Sequence, residues 1–354
     1  SLSASPSPRV SCLSKPNTAD VTADHSLEFP RTLSRHLYSR HMLPRSGSQN
    51  LVFFAVNSAR GNSILRDVIR RTWGAVAKSM GFHVKFFVGH SQDMLGIEIE
   101  KAKNNDVVVL DVDEGSFKNG YNLLSRKTML LMQWVDRNTD PSTLFMVKVD
   151  DDVYFDVEAF VARIWGIKEQ MSADDEESVY YGYINEHSEP IRDATSKWYE
   201  GEYRAQLYPP YAAGIFYMLS RKAVSYLTRN AKALKQWRNE DASVGTWLYA
   251  TKTRRIHDQC VYPSRSFRAE GYSVIVLHMA MSTNVKTSRK LAHVKNREFD
   301  MLFTASLMNA AHRHLQEFGT ILGVCKDSVG DIDEKVEASN VVYMTIEEWV
   351  LERM

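Results

Sequence analysis

Asp150, Asp151 and Asp152 follow one another at the end of an apolar run, Leu144-Phe145-Met146-Val147-Lys148-Val149. Such a run reads as a buried central strand. Three carboxylates this close raise one another's pKa, and a divalent cation between them relieves the repulsion. Hard oxygen ligands suit Mg²⁺ or Mn²⁺. In open α/β sheets ligands gather beyond the carboxyl ends of strands, where these acids fall. A solvated acidic turn or helix cap has the same local sequence; the strand in front of the acids is what favours a metal.

Four other groupings carry chemistry. Arg66 and Arg70 stand one helical turn apart, which puts two guanidinium groups on one side to face a diphosphate or a uracil carbonyl. A solvated helix face with unrelated charges has the same spacing. In Tyr208-Pro209-Pro210-Tyr211-Ala212-Ala213-Gly214 the prolines stiffen a loop, and small residues leading to Gly214 allow a ligand close to the backbone. Aromatic faces beside such a loop suit sugar rings, or they belong to the core. Glu240 and Asp241 precede an apolar helix, as a helix cap or a catalytic base would. His278 closes the late strand Ser273–Leu277: a lone histidine there is usually a satisfied core residue, but it would complete a mixed oxygen and nitrogen site for Mn²⁺ if that strand ends near Asp152.

The elements that must position these residues alternate. Strands are expected at 51–56, 84–88, 107–110 and 144–149, with helices at 63–73, 94–103 and 122–136 between them. Ser63 is the expected N-cap of the first helix. This alternation argues for an α/β fold with a largely parallel sheet and helices on both faces. A helix at 157–169, strands at 179–183 and 213–219, a helix at 221–235 and helical stretches at 298–318 and 343–353 follow. Residues 184–211 read as irregular and aromatic.

Residues 1 to about 48 are rich in Ser, Pro, Arg and His and read as a flexible stem or linker. The chain has 354 residues, 44% apolar content and a net charge of +1, which gives no bulk attraction to nucleic acid. No apolar stretch is long enough to span a membrane, and no signal-peptide pattern or Asn-x-Ser/Thr acceptor is present. The first residue is not Met, as in an excised fragment. Three cysteines, Cys12, Cys260 and Cys325, allow at most one disulfide.

Taken together, the segments resemble the inverting β1,3-galactosyl- and N-acetylglucosaminyltransferase family of the secretory pathway. Arg66-Asp67-Val68-Ile69-Arg70-Arg71-Thr72-Trp73-Gly74 matches its early signature, and Phe86-Phe87-Val88-Gly89 its second strand. Asp106, Tyr121-Asn122-Leu123 and Lys127-Thr128 follow, then Lys148-Val149-Asp150-Asp151-Asp152-Val153. Lys197-Trp198-Tyr199, Tyr208–Tyr211 with Gly214 and Tyr217, and Glu240-Asp241 with Gly245 complete the series over about residues 50–285. Ala242 departs from the usual valine, the family's lumenal cysteines are mostly missing, and the wording near 208–220 and 240–248 looks like a divergent, kinetoplastid-type branch.

The resemblance implies a GT-A fold, with a stem at 1–48, a catalytic domain at 49–320 and an acidic extension with a terminal helix at 321–354. It implies a UDP-sugar donor (UDP-Gal or UDP-GlcNAc), Mn²⁺, a glycan acceptor on protein or lipid, and a Golgi-lumenal type II protein whose anchor is not in this chain. By position, Asp150 and Asp152 face metal or donor, since alternation in an extended segment puts them on one side. Asp151 turns to ribose or donor sugar, and His278 completes the coordination. Ser58, Arg66, Arg70 and Gly214 contact the nucleotide sugar; Trp198, Tyr208, Tyr211 and Glu240 contact the acceptor; Asp241 is the catalytic base. A non-catalytic glycan-binding chaperone of the same fold and a metal-dependent phosphohydrolase are the competing classes.

Overall fold

The computed structural model describes residues 51–114, 123–171, 177–258, 260–262, 276–278, 304–305, 308–309 and 311–313. The expected stem, the 321–354 extension, Tyr121-Asn122, Cys12 and Cys325 lie outside them. The first strand, β1 (Val52–Asn57), is buried almost throughout and leads to α1 (Ser63–Arg71) and α2 (Trp73–Ser79). β2 (His83–His90), α3 (Leu95–Asn104), β3 (Val107–Asp113) and α4 (Leu124–Asn138) continue the alternation up to β4 (Phe145–Asp150). Short β5 (Val153–Phe155), α5 (Val157–Gln170), β6 (Val179–Asn185) and β7 (Tyr211–Ser220) follow. α6 (Arg221–Asn230), α7 (Glu240–Tyr249), β8 (Arg254–His257), β9 (Val261–Tyr262) and β10 (Val276–His278) complete the described strands and long helices.

Seven strands form one sheet in the order β3-β2-β1-β4-β7-β6-β8. The β1–β2, β2–β3, β1–β4 and β6–β8 pairs are parallel, while β7 runs antiparallel to both β4 and β6. Alternation along β1 divides the core: Phe54 and Val56 pack with Leu65, Ile69, Trp73, Phe155 and Phe160 on one face. Phe53 and Ala55 pack with Met132, Val135, Leu227 and Trp247 on the other. Helices therefore cover both faces of a mixed, mainly parallel sheet, which is the α/β arrangement expected from the sequence and from the GT-A resemblance.

Three local expectations change. The first helix stops at Arg71, because Thr72 leaves helical geometry and turns its hydroxyl back to the Val68 carbonyl at 2.8 Å; a second helix then starts at Trp73. Asn62, not Ser63, is the N-cap of α1, and its side chain makes no cap bond. β8 was not expected, since Arg254-Arg255-Ile256-His257 carries no apolar alternation; it is held at the sheet edge by pairing with β6. Among the described residues no helix is long and apolar enough to cross a membrane.

Trp73 fixes the sheet to the Asp150–Asp152 segment. Its indole N–H donates to the Val153 carbonyl at 3.0 Å, and its ring lies 4.5 Å from that of Phe155. The side chain is fully enclosed. Trp73→Ala is expected to destabilise by about 3–5 kcal/mol in denaturant unfolding, and Trp73→Phe by clearly less. Equal, small effects would mean that Trp73 does not anchor β5.

Candidate active site

The strand order reverses between β1 and β4: the chain runs outward from β1 through β2 to β3, then returns to place β4 on the other side of β1. Crevices at such switch points, beyond the strands' carboxyl ends, are where α/β sheets hold ligands. The register sets Asn57 opposite Asp150, and the Asn57 amide donates to Asp150 Oδ1 at 3.3 Å. One residue on, the Ser58 hydroxyl donates to Asp151 Oδ2 at 2.6 Å, and the Asn62 amide donates to the same oxygen at 2.9 Å. The Asn62 side chain thus turns to the acid cluster and does not cap α1.

The three acids do not continue as one extended strand. β4 ends at Asp150, Asp151 and Asp152 form a turn, and β5 begins at Val153. The simple alternation that would put Asp150 and Asp152 on one side therefore does not hold; the turn decides where each points. Burial pushes the Asp151 carboxyl up to about 6, the charge of Asp152 adds to this, and the bonds from Ser58 and Asn62 offset only part. Asp150, with 31% of its side chain exposed, is also raised, first by desolvation and then by Asp152, against the pull of Lys148. Hard oxygen donors in mutual repulsion are the donor set that a divalent cation suits. β10 pairs antiparallel with β5 so that His278 lies opposite Val153, beside the turn; its side chain is not among those described. Among the described residues no three His, Cys, Asp or Glu side chains form a ready metal site.

Arg66 is placed differently from the expectation. All five of its N–H donors are engaged inside the protein. They reach Glu100 Oε1 and Oε2 (2.8 and 2.6 Å), the Ser58 hydroxyl (2.8 Å) and the carbonyls of Ala59 and Arg60 (2.7 and 3.1 Å). The guanidinium has no surface exposed to a nucleotide and instead clamps the loop that carries Ser58. Arg70 joins Asp106, Glu100 and Asp67. The helical spacing does put both arginines on one side, but acids of the protein occupy that side. Lys127 supports Ser58 from the other direction: its ammonium donates to the Ser58 carbonyl at 2.7 Å and pairs with Glu114 at 2.5 Å.

The second half of the site lies on β7 and α7. Lys148, 1% exposed, bonds Asp150 Oδ1 at 2.7 Å and the Gly214 carbonyl, and lies 3.6 Å from Glu240 Oε2. Burial alone would lower its pKa, but the charges of Asp150 and Glu240 outweigh this and hold it firmly protonated. Asp241, at the first turn of α7, accepts the Gly214 N–H at 3.2 Å and its neighbour Ala242 N–H at 2.9 Å. Burial and then the Glu240 charge push its carboxyl up to about 6. A Cβ on Gly214 would come within 3.2 Å of Glu240 Oε2 and 3.3 Å of Asp241 Oδ2, so any side chain here would press both carboxylates aside by a few tenths of an ångström.

Glu240 does not face an acceptor. It is 7% exposed, and its Oε1 accepts from the Tyr217 hydroxyl at 2.7 Å and from Thr128 at 3.0 Å. Tyr208 is also enclosed, against Tyr203 at 4.5 Å, with its hydroxyl bonded by Asn239. Tyr211 stays half-buried on this side, and the charge of Asp241 helps raise its phenol above the ordinary value, after burial. The Pro210–Tyr211 corner fits because α7 has Gly245 there; a Cβ would sit 2.4 Å from that of Tyr211. Trp198 is 41% exposed, with Lys197 Nζ 4.5 Å above its ring. Of the expected acceptor group, Tyr211 and Trp198 keep surface for a ligand, and Tyr208 and Glu240 do not.

Residues 65–259, more than half of the chain, match the family described as Galactosyltransferase. The chain belongs to this family. Over 162 residues it is 32% identical to the UDP-GalNAc:beta-1,3-N-acetylgalactosaminyltransferase 2 of Danio rerio, covering 46% of this chain and 30% of that protein. Over 201 residues it is 27% identical to the beta-1,3-galactosyltransferase 6 of Mus musculus, covering 54% and 58%. Over 195 residues it is 30% identical to the beta-1,3-galactosyltransferase brn of Drosophila melanogaster, covering 54% and 57%. The matches span 30–58% of these relatives' lengths.

Sequence reasoning missed Lys148 as a site residue of this galactosyltransferase-family chain, although a lone charge inside an apolar strand was a visible signal. Asn62 and Lys127 carried no such signal. The placement of Arg66 has a direct consequence for stability. Arg66→Met takes from Glu100 one of its two arginine partners, leaving Arg70, and frees the Ser58 loop; it is expected to lower unfolding stability by about 3 kcal/mol with no nucleotide present. An unchanged denaturation midpoint would return Arg66 to a ligand-contacting role.

Proposed function

We propose that this chain is an inverting glycosyltransferase that moves galactose or an N-acetylhexosamine from a UDP-sugar to a glycan hydroxyl, forming a β-linkage, β1,3 by family. The observation that carries the reading is the pairing, across Lys148 and Gly214, of an acid turn with a second, separate carboxylate at Asp241. An acid cluster alone would suit a phosphohydrolase; a distinct acid raised to about 6 suits proton removal from a sugar hydroxyl near neutral pH.

Asp150 and Asp152, with His278 as the further candidate, would hold Mn²⁺, which when bound supplies Lewis-acid charge beside a departing diphosphate. Ser58 and Asn62 keep Asp151 oriented at the same crevice. The Asp241 carboxylate takes the proton from the acceptor hydroxyl while that oxygen bonds to the anomeric carbon and the bond to the diphosphate breaks. Attack opposite the leaving group turns an α-linked donor into a β-linked product. Tyr211 and Trp198 offer aromatic surface to the acceptor. Cys260 is disulfide-bonded, which supports an oxidising compartment and is in keeping with the Golgi lumen.

Asp241→Asn is expected to lower transfer by at least about 100-fold while leaving UDP affinity within about twofold. In the unaltered protein, transfer should fall as the pH drops through about 6, because a raised carboxyl keeps its proton to higher pH, and should persist above it. Full turnover in Asp241→Asn, measured with a panel of UDP-sugars and glycan acceptors, would remove Asp241 from the mechanism.

A further inference from the structure

Glu240 is the acid in this region that the proposed reaction does not use. It begins α7, one residue before Asp241, yet it turns inward. One oxygen is held by Tyr217 on β7 and Thr128 on α4. The other lies 3.6 Å from the Lys148 ammonium and over the Cα of Gly214. Lys148 in turn bonds the Gly214 carbonyl, and the Gly214 N–H reaches Asp241. The contacts close a ring: Glu240, Lys148, Gly214, Asp241, and back through the helix backbone to Glu240. One phenol and one threonine hydroxyl bonded to a buried carboxylate make a fixed acceptor, not a group awaiting a ligand.

We infer that Glu240 is a positioning residue for the Asp241 carboxylate, locking Lys148 and the Gly214 backbone against it from beneath. This deepens the role proposed for Asp241 and rests on it. The groups that face Asp241 are Glu240 on its own helix, Lys148 on β4, Tyr211 on β7 and Tyr180 on β6. Glu240 raises the Asp241 carboxyl and Lys148 lowers it, so removing either changes how readily Asp241 accepts a proton.

The test is the pH profile of kcat/KM for Glu240→Gln, which keeps shape and removes charge. The acid limb is expected to move down from about 6 by about 0.5 pH unit or more, with a lower plateau and donor KM within about twofold. Glu240→Asp, which keeps the charge, should leave the limb in place. A folded Glu240→Gln whose limb does not move overturns the inference. Should that variant fail to fold, Tyr217→Phe decides: loosening Glu240 should lower kcat at least about fivefold with donor KM little changed, and an unchanged kcat overturns the inference. Loss of activity in Asp241→Asn beside an unmoved limb in Glu240→Gln would sink the positioning role alone. An active Asp241→Asn would instead sink the reading beneath it.

Discussion

The buried ammonium of Lys148 touches both halves of the site. It rises from the middle of the sheet, where β4 is flanked by β1 and β7, and satisfies Asp150 on one side and the Gly214 carbonyl on the other, with Glu240 close by. Asp150, Glu240 and Asp241 act on it directly, and Asp151 and Asp152 act on Asp150 and on each other. A charge this deep is tolerated because its partners are close and fixed. Burial first, and then the charges of neighbouring acids, hold the carboxyls of Asp150, Asp151 and Asp241 above the ordinary range.

The sheet makes this placement possible. At the switch point between β1 and β4, the Asn57–Asp150 register and the Ser58–Asp151 bond join two distant parts of the chain at the strands' carboxyl ends. Arg66 and Glu100 clamp the loop after β1 from below, so the Ser58 hydroxyl is presented at one geometry. The antiparallel β7 then carries Gly214 past Lys148 to α7. The acid turn and a separate acid at a helix start are thus linked through a lysine and a glycine.

The strand–helix alternation and the acid turn were legible because both follow from periodicity and local composition. A chemical role for Asp241 could be suggested only through the family motif, since Glu240-Asp241 reads equally well as a helix start, which is where the structure has it. The inward turn of Glu240 and the enclosure of Tyr208 were not legible: neighbouring residues on a helix or loop point in different directions, and the partners Thr128, Tyr217 and Tyr203 are remote or separate in sequence. Arg66 misled for the opposite reason. Its helical spacing was read correctly, but Glu100, which occupies its face, comes from α3 and only the tertiary fold brings it there.

The central claim is that the acid turn after β4 binds the donor diphosphate through a divalent cation, apart from the base. Calorimetric titration of the protein with UDP, with and without Mn²⁺, tests it most directly. UDP should bind measurably only with Mn²⁺, and Asp150→Asn should abolish that binding. Equal affinity in the absence of the metal, or undiminished binding by Asp150→Asn, would contradict it.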